Sequence, residues 1–169
     1  CGMAGRTQIG ELASQNIVAL CDVDWRPSTS GPGAGGAPGG APGGPPRGLR
    51  GGVAAGIAEK HPSAKRFDDW RVMLDKMGKE IDGVVVSTPD HTHIHCVIAA
   101  MKMGKHVMCE KPLGHSVHET RLIMAAAKKH RKSITHTVIQ GHASEDCRSI
   151  VEWIRDGAIG DVQEAHAYE

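Results

Sequence analysis

Along this chain, short apolar runs alternate with segments whose apolar positions recur every three to four residues. The runs "NIVALCDV" (16–23), "IDGVVVST" (81–88), "KHVMCE" (105–110), "KSITHTV" (132–138) and "DVQEAHAYE" (161–169) predict strands. Helical spacing predicts helices near 5–14, 53–61, 69–77, 92–103, 116–131 and 144–156. Boundary signals support several of them. Ser116 and Glu119 form an S-x-x-E capping box, and Asp90 is placed to cap a helix starting near Thr92. Cys147, Ile150, Val151 and Ile154 fall at i, i+3, i+4 and i+7, giving that helix one apolar face, and Gly157 is placed to end it. Strand–helix alternation of this kind implies βαβ units, so the expected class is α/β with a doubly wound parallel sheet.

One segment breaks the pattern. Residues 27–52 hold 11 of the 22 glycines and 6 of the 9 prolines. With almost no side chain to bury, such a segment cannot offset the entropy of its own ordering, and a flexible insertion is expected. Glycine does not recur at every third position, which excludes a collagen-like helix. Loop-closure cost grows slowly with length, so the fold can carry it.

Charge narrows the partners. Twenty basic against 19 acidic residues leave a net charge of +1, so no field points to nucleic acid or to a membrane surface. The cluster "AAAKKHRK" (125–132) reads as cations in the last turn of a helix. No apolar run approaches the ~20 residues of a membrane span. Five cysteines, odd in number and without a CxxC pair, read as small buried side chains in a reducing compartment. A cytoplasmic location follows as the expectation, although an export signal ahead of "CGMAGR" would not be seen.

Three stretches carry chemistry. "CGMAGR" before a helix matches the end of G-x-G-x-x-G, with Gly2 and Gly5 as its second and third glycines. Gly2 would admit a pyrophosphate to the backbone and Gly5 would let helix and strand pack closely. A structural glycine turn is the alternative. Asp22, twenty residues after Gly2 at the end of the next strand, supplies the carboxylate that accepts from a ribose diol. Its charge favours NAD over NADP, while Arg26 leaves NADP open. "STPDHTHIH" (87–95) follows a strand and opens a helix, so Thr88, Pro89 and His93 are placed to line a ligand at the carboxyl edge of the sheet. His91 and His95 lie at i, i+4, but no third ligand or general-base glutamate accompanies them as in HExxH, and no metal site is expected. "CEKP" closes the next strand at the same edge. Pro112 keeps Lys111 out of the helical region, at the strand mouth. A lysine there can exchange a proton with a carbinol losing hydride. A surface lysine at a tight turn is the alternative.

"TPDHTH", "GKHVMCEKPL" and "VEWIRDGAIGDVQEAH", in this order and spacing, resemble the Gfo/Idh/MocA oxidoreductases, with E-K-P the most specific mark. The resemblance covers the chain apart from 27–52. It implies a Rossmann domain over 1–143 and the start of a C-terminal α/β substrate domain over 144–169. It implies NAD, with NADP possible, and a sugar or cyclitol substrate. It makes Lys111 the catalytic lysine and Asp22 the ribose acid, and sets Gly2 and Gly5 under the pyrophosphate. It assigns Thr88, Pro89, His93 and Glu110 to the cofactor side, and puts Gln140 near the nicotinamide and His142 towards substrate. A homo-oligomer is expected of the full-length enzyme.

The family's first strand and first fingerprint glycine are missing from this sequence, as are its C-terminal acid/base residues. The sheet is therefore expected to be truncated at its first strand, leaving two halves with unpaired inner edges, and the fragment alone to be inactive. Two other readings stand beside the dehydrogenase: an NAD-dependent glycoside hydrolase of the same family, and a non-catalytic nucleotide-binding fragment.

Overall fold

The computed structural model describes residues 9–10, 12, 14–26, 53–139, 141–142 and 144–166. The expectations for Gly2, Gly5, Gln140 and the Gly/Pro segment 27–52 lie outside the described residues. Ile9 and Gly10 are helical, within the first predicted helix. The regular elements that follow are β1 (Ala19–Cys21), α1 (Val53–Lys60), β2 (Lys65–Phe67), α2 (Trp70–Met77), β3 (Gly83–Val86), α3 (Asp90–Lys102), β4 (His106–Cys109), α4 (Val117–Lys129), β5 (Thr135–Thr137) and α5 (Glu145–Arg155). The chain divides into one compact unit through Thr137 and a second from Val138 to Glu169.

Among the described residues of the first unit, every strand pairing is parallel. β1 pairs with β2, setting Leu20 opposite Arg66. β3, β4 and β5 form a separate sheet in which Val86 stands opposite Cys109 and Cys109 opposite Thr137. The two sheets are the two halves expected from the sequence. β1 and β3 do not pair, and both line a cavity of about 560 Å³ that Leu20, Val84 and Val85 face.

The larger sheet is covered by helices whose apolar positions match the helical repeat. On α3, His93, Ile94, Val97, Ala100 and Met101 are buried at i, i+1, i+4, i+7 and i+8. Ile94, Cys96, Val97, Ala100 and Met101 pack with Val86, Val107, Cys109 and Ile123 (on α4) into one core. Ala100 and Met101 are fully buried. Gly104 follows α3 with a φ of 73°, a left-handed turn that returns the chain into β4 and that a side chain would strain. α4 starts with both bonds of the predicted box: Glu119 N–H donates to Ser116 Oγ (3.2 Å) and Ser116 N–H to Glu119 Oε2 (3.2 Å). Under the smaller sheet, Leu20, Ile57, Ala58 and Ala64 form a second, smaller cluster.

Three local expectations change. β2 is a strand that periodicity does not mark, because three residues with two exposed side chains are too few to show alternation. α3 starts at Asp90, two residues before the expected Thr92, with Pro89 at its N-cap. Asp90 Oδ1 accepts only its neighbour's amide, His91 N–H, at 2.8 Å, so Asp90 begins the first turn instead of capping it. Residues 161–166 form no strand. In the second unit, Ser144 caps α5 by accepting Cys147 N–H at 3.2 Å, and Gly157 (φ 77°) ends it as expected. None of the α5 side chains is buried, so the apolar face read from Cys147, Ile150, Val151 and Ile154 faces solvent.

Candidate functional site

Parallel strands ending together leave their last carbonyls and the following loops at one edge, and β3 and β4 do so in register. Beyond β3 runs Ser87–Pro89; beyond β4 runs Glu110–Ser116, which contains the E-K-P stretch. Glu110 extends the ladder by one bond, its N–H donating to Val86 O at 2.9 Å. Its side chain then turns inward. Glu110 is only 5% exposed, and its Oε2 accepts Lys111 N–H at 2.9 Å. The Lys111–Pro112 peptide is cis, and the Lys111 side chain is exposed at the strand mouth.

His93 joins the two loops. It lies one turn into α3 and is 1% exposed. Its Nδ1 lies 2.8 Å from Pro112 O and its Nε2 2.8 Å from Thr88 O. Both partners are carbonyls, which only accept, so a ring with one N–H donates to one of them, and the tautomer decides which. A second tie runs across the surface, where His115 Nδ1 stands 3.2 Å from Asp90 Oδ2. The hydrogen bond from His115, and then that from the His91 amide, hold the Asp90 carboxyl below its usual range. Thr88 and Pro89 are exposed on the loop itself. Thr92 Oγ1 is 2.7 Å from both Thr88 Oγ1 and Pro89 O, which tightens the first turn.

The structure thus brings Thr88, Pro89, His93, Glu110 and Lys111 to one edge. Two of the five face inward: His93 and Glu110 are committed to the protein's own backbone, leaving Thr88, Pro89 and Lys111 as the exposed groups. The reach of His93 to Pro112, 19 residues away, has no signal in sequence spacing. Buried glutamates are uncommon, and the apolar run before Glu110 was the available hint that it lies inside.

Asp22 ends β1, continuing its ladder through its own N–H to Phe67 O at 3.0 Å. The carboxylate is held on the turn by Asp24 N–H, which donates to Oδ1 at 2.9 Å. Burial raises the Asp22 carboxyl above its ordinary value, and the backbone bonds oppose that rise. A half-buried carboxylate fixed at a strand end is an acceptor suited to ribose hydroxyls, so the residue present fits the adenosine end of a dinucleotide. Arg26, the cation read in the sequence as leaving NADP open, is bound by Asp24 through Nε (2.8 Å) and a second nitrogen (2.6 Å). His142 is exposed in the second unit. Among the described residues, no three His, Cys, Asp or Glu side chains gather in a metal-binding arrangement.

The cysteines sort by depth. Cys96 and Cys109 are buried, Cys21 is half-buried and Cys147 is exposed, which corrects the expectation of burial for the last. Burial pushes the Cys109 thiol up to about 12 and the Cys96 and Cys21 thiols to about 11. Among the described residues, no helix is long and apolar enough to cross a membrane.

Residues 53–137 match the model of an oxidoreductase family with an NAD-binding Rossmann fold. Levoglucosan dehydrogenase of Pseudarthrobacter phenanthrenivorans is 34% identical over 107 residues, 59% of this chain and 26% of that protein. The NADP-dependent scyllo-inositol 2-dehydrogenase of Bacillus subtilis is 35% identical over 71 residues, 42% of this chain and 21% of that protein. In structure, the chain is similar to apo scyllo-inositol dehydrogenase of Lactobacillus casei, with a TM-score of 0.65 at 19% identity, covering 95% of this chain and 40% of that one. The chain spans about a quarter of the length of the curated relatives it matches.

Proposed function

Since the chain belongs to the Gfo/Idh/MocA oxidoreductase family, whose NAD-binding Rossmann fold it carries, we propose that it serves hydride transfer between a nicotinamide cofactor and a ring hydroxyl of a sugar or cyclitol. The observation that supports this reading most is the exposed Lys111 beside the Thr88–Pro89 loop, on a turn whose backbone is held at Glu110 and Pro112. When bound, the nicotinamide supplies the hydride acceptor. Asp22 accepts hydrogen bonds from the adenosine ribose, which orients the cofactor along the strand ends and selects NAD. Lys111 takes up or returns the hydroxyl proton as the carbon changes oxidation state. Glu110 and His93 hold the turn that carries it, so the side-chain amine works from a fixed backbone. Relatives that act on an anhydrosugar and on an inositol favour a polyol ring as the substrate class.

The test is NADH formation by the full-length enzyme with a panel of aldoses, methyl glycosides, anhydrosugars and inositols, followed at 340 nm. Net NADH in proportion to a keto product is expected with at least one ring polyol. Release of free sugar from the glycosides without net NADH would move the protein to the glycoside-hydrolase reading. Absence of turnover together with absence of NAD binding would remove the oxidoreductase reading altogether.

A further inference from the structure

The turn that carries Lys111 is tied to the neighbouring loop at three points of different depth. The first is a ladder bond, Glu110 N–H to Val86 O. The third, Asp90 to His115, is exposed, and such pairs contribute little in water. The middle tie is the buried ring of His93, between Thr88 O and Pro112 O. It is a side-chain bridge between the segment next to Lys111 and the loop beyond β3, and it stands on α3 above the buried Val97 and Met101. The enclosed ring is packed between the two carbonyls and donates to one of them, which holds the two loops at a set separation, and burial removes water as a competing partner.

We propose that His93 is the positioning residue of this site: its imidazole couples the Thr88 loop to the Lys111 turn and so sets where the lysine ammonium stands relative to a molecule bound on the loop. This rests on the reading of Lys111 as the proton-transfer group. His93 itself touches neither substrate nor cofactor, because its ring is enclosed and both nitrogens are engaged. The two halves of the bridge are separable by substitution. In His93→Asn the side-chain amide nitrogen takes the place of Nδ1 and keeps the bond to Pro112 O. In His93→Gln it takes the place of Nε2 and keeps the bond to Thr88 O. The asparagine variant retains the tie nearer Lys111.

The experiment is a cycle of wild type, His93→Ala, Lys111→Ala and the double variant, with His93→Asn and His93→Gln alongside. The readouts are kcat on the best panel substrate and Kd for NAD. His93→Ala is expected to lower kcat ten- to a hundredfold with Kd for NAD changed less than threefold. In the Lys111→Ala background the same substitution is expected to change kcat less than threefold, since a positioning residue has nothing left to position. His93→Asn is expected to recover more kcat than His93→Gln. Should Lys111→Ala be slow while His93→Ala costs the same in both backgrounds, His93 is a packing residue and the inference is overturned alone. Should Lys111→Ala turn over like wild type, or no panel compound turn over, the reading of Lys111 fails and the inference falls with it. If His93→Ala does not fold, the asparagine and glutamine variants decide: equal recovery overturns the inference, and unequal recovery favouring asparagine upholds it.

Discussion

The two half-sheets of the first unit differ in how completely their sides are covered. In the β3–β4–β5 half, two long helices lie on the sheet, Ala100 and Met101 are wholly enclosed, and buried side chains from four successive elements, β3, α3, β4 and α4, share one core. The β1–β2 half has two three-residue strands packed by two four-residue clusters, one of Leu20, Ile57, Ala58 and Ala64 and one of Met73, Leu74, Met77 and Ile81, with a cavity along its inner edge. The turn bearing Lys111 is attached to the first kind of structure, and the carboxylate of Asp22 to the second. Proton transfer needs atoms held to a fraction of an ångström, whereas a ribose clamp tolerates adjustment as the ligand settles. On the proposed reading, the difference teaches that the proton-transfer end would be carried by the denser half and the cofactor-selecting end by the more open one.

The contrast breaks most visibly under core truncation. Met101→Ala removes a fully buried side chain from the dense core and is expected to cost about 4 kcal/mol, in the upper part of the roughly 2–5 kcal/mol range for such changes. Leu20→Ala, beside a cavity that already exists, is expected to cost about 2 kcal/mol. Urea unfolding of the two variants in the protein measures both. Equal losses would mean that the halves are equally packed.

A smaller effect separates binding from stability at Asp22. Asp22→Asn is expected to weaken NAD about tenfold or more, since a hydrogen bond to a charged acceptor contributes ~1.5–3 kcal/mol. Its melting temperature is expected to stay level or rise. Burial raises the folded carboxyl above 3.8, so ionising Asp22 costs stability as pH climbs through that interval, and the neutral amide avoids this. Titration calorimetry and a thermal scan check the two halves of the statement. Unchanged NAD affinity would remove Asp22 from the clamp.

The thiols give the mildest comparison. Thiolates are the species that react with a disulfide reagent, so among the described thiols at pH 8 the exposed Cys147 is expected to label first, then Cys21, and last Cys96 and Cys109. Because burial raises the last three, the unfolded chain loses their protons first. Stability is then expected to fall as pH rises from about 9 towards 11–12. Mass spectrometry of peptides from timed labelling gives the order. Cys96 reacting as fast as Cys21 would contradict a denser second half.

Much of the dense half was legible in the sequence, because "GVVV" and "HVMC" lie in continuous apolar runs and the spacing of α3 carries enough residues to display a helical period. The capping box at Ser116 was legible for a similar reason, as two residues at fixed spacing specify both bonds. β2 was not, since three residues show no alternation. Spacing placed Thr88, Pro89 and Lys111 at a common edge but said nothing of direction, and His93 and Glu110 proved to face the protein. Side-chain direction there depends on contacts between segments far apart in the chain, such as His93 with Pro112, and such contacts leave no local pattern.

The central claim, that the turn after β4 presents a proton-transfer group, is tested most directly by kcat and Kd for NAD in wild type, Lys111→Ala and Lys111→Arg. The alanine variant is expected to lose roughly 10²–10⁴-fold in kcat with NAD affinity little changed, the signature of a group acting in the transition state. Arginine is expected to rescue poorly, because a guanidinium stays protonated and cannot take up the hydroxyl proton. Turnover near wild type in Lys111→Ala would contradict the claim and leave Glu110–Lys111–Pro112 as a structural corner.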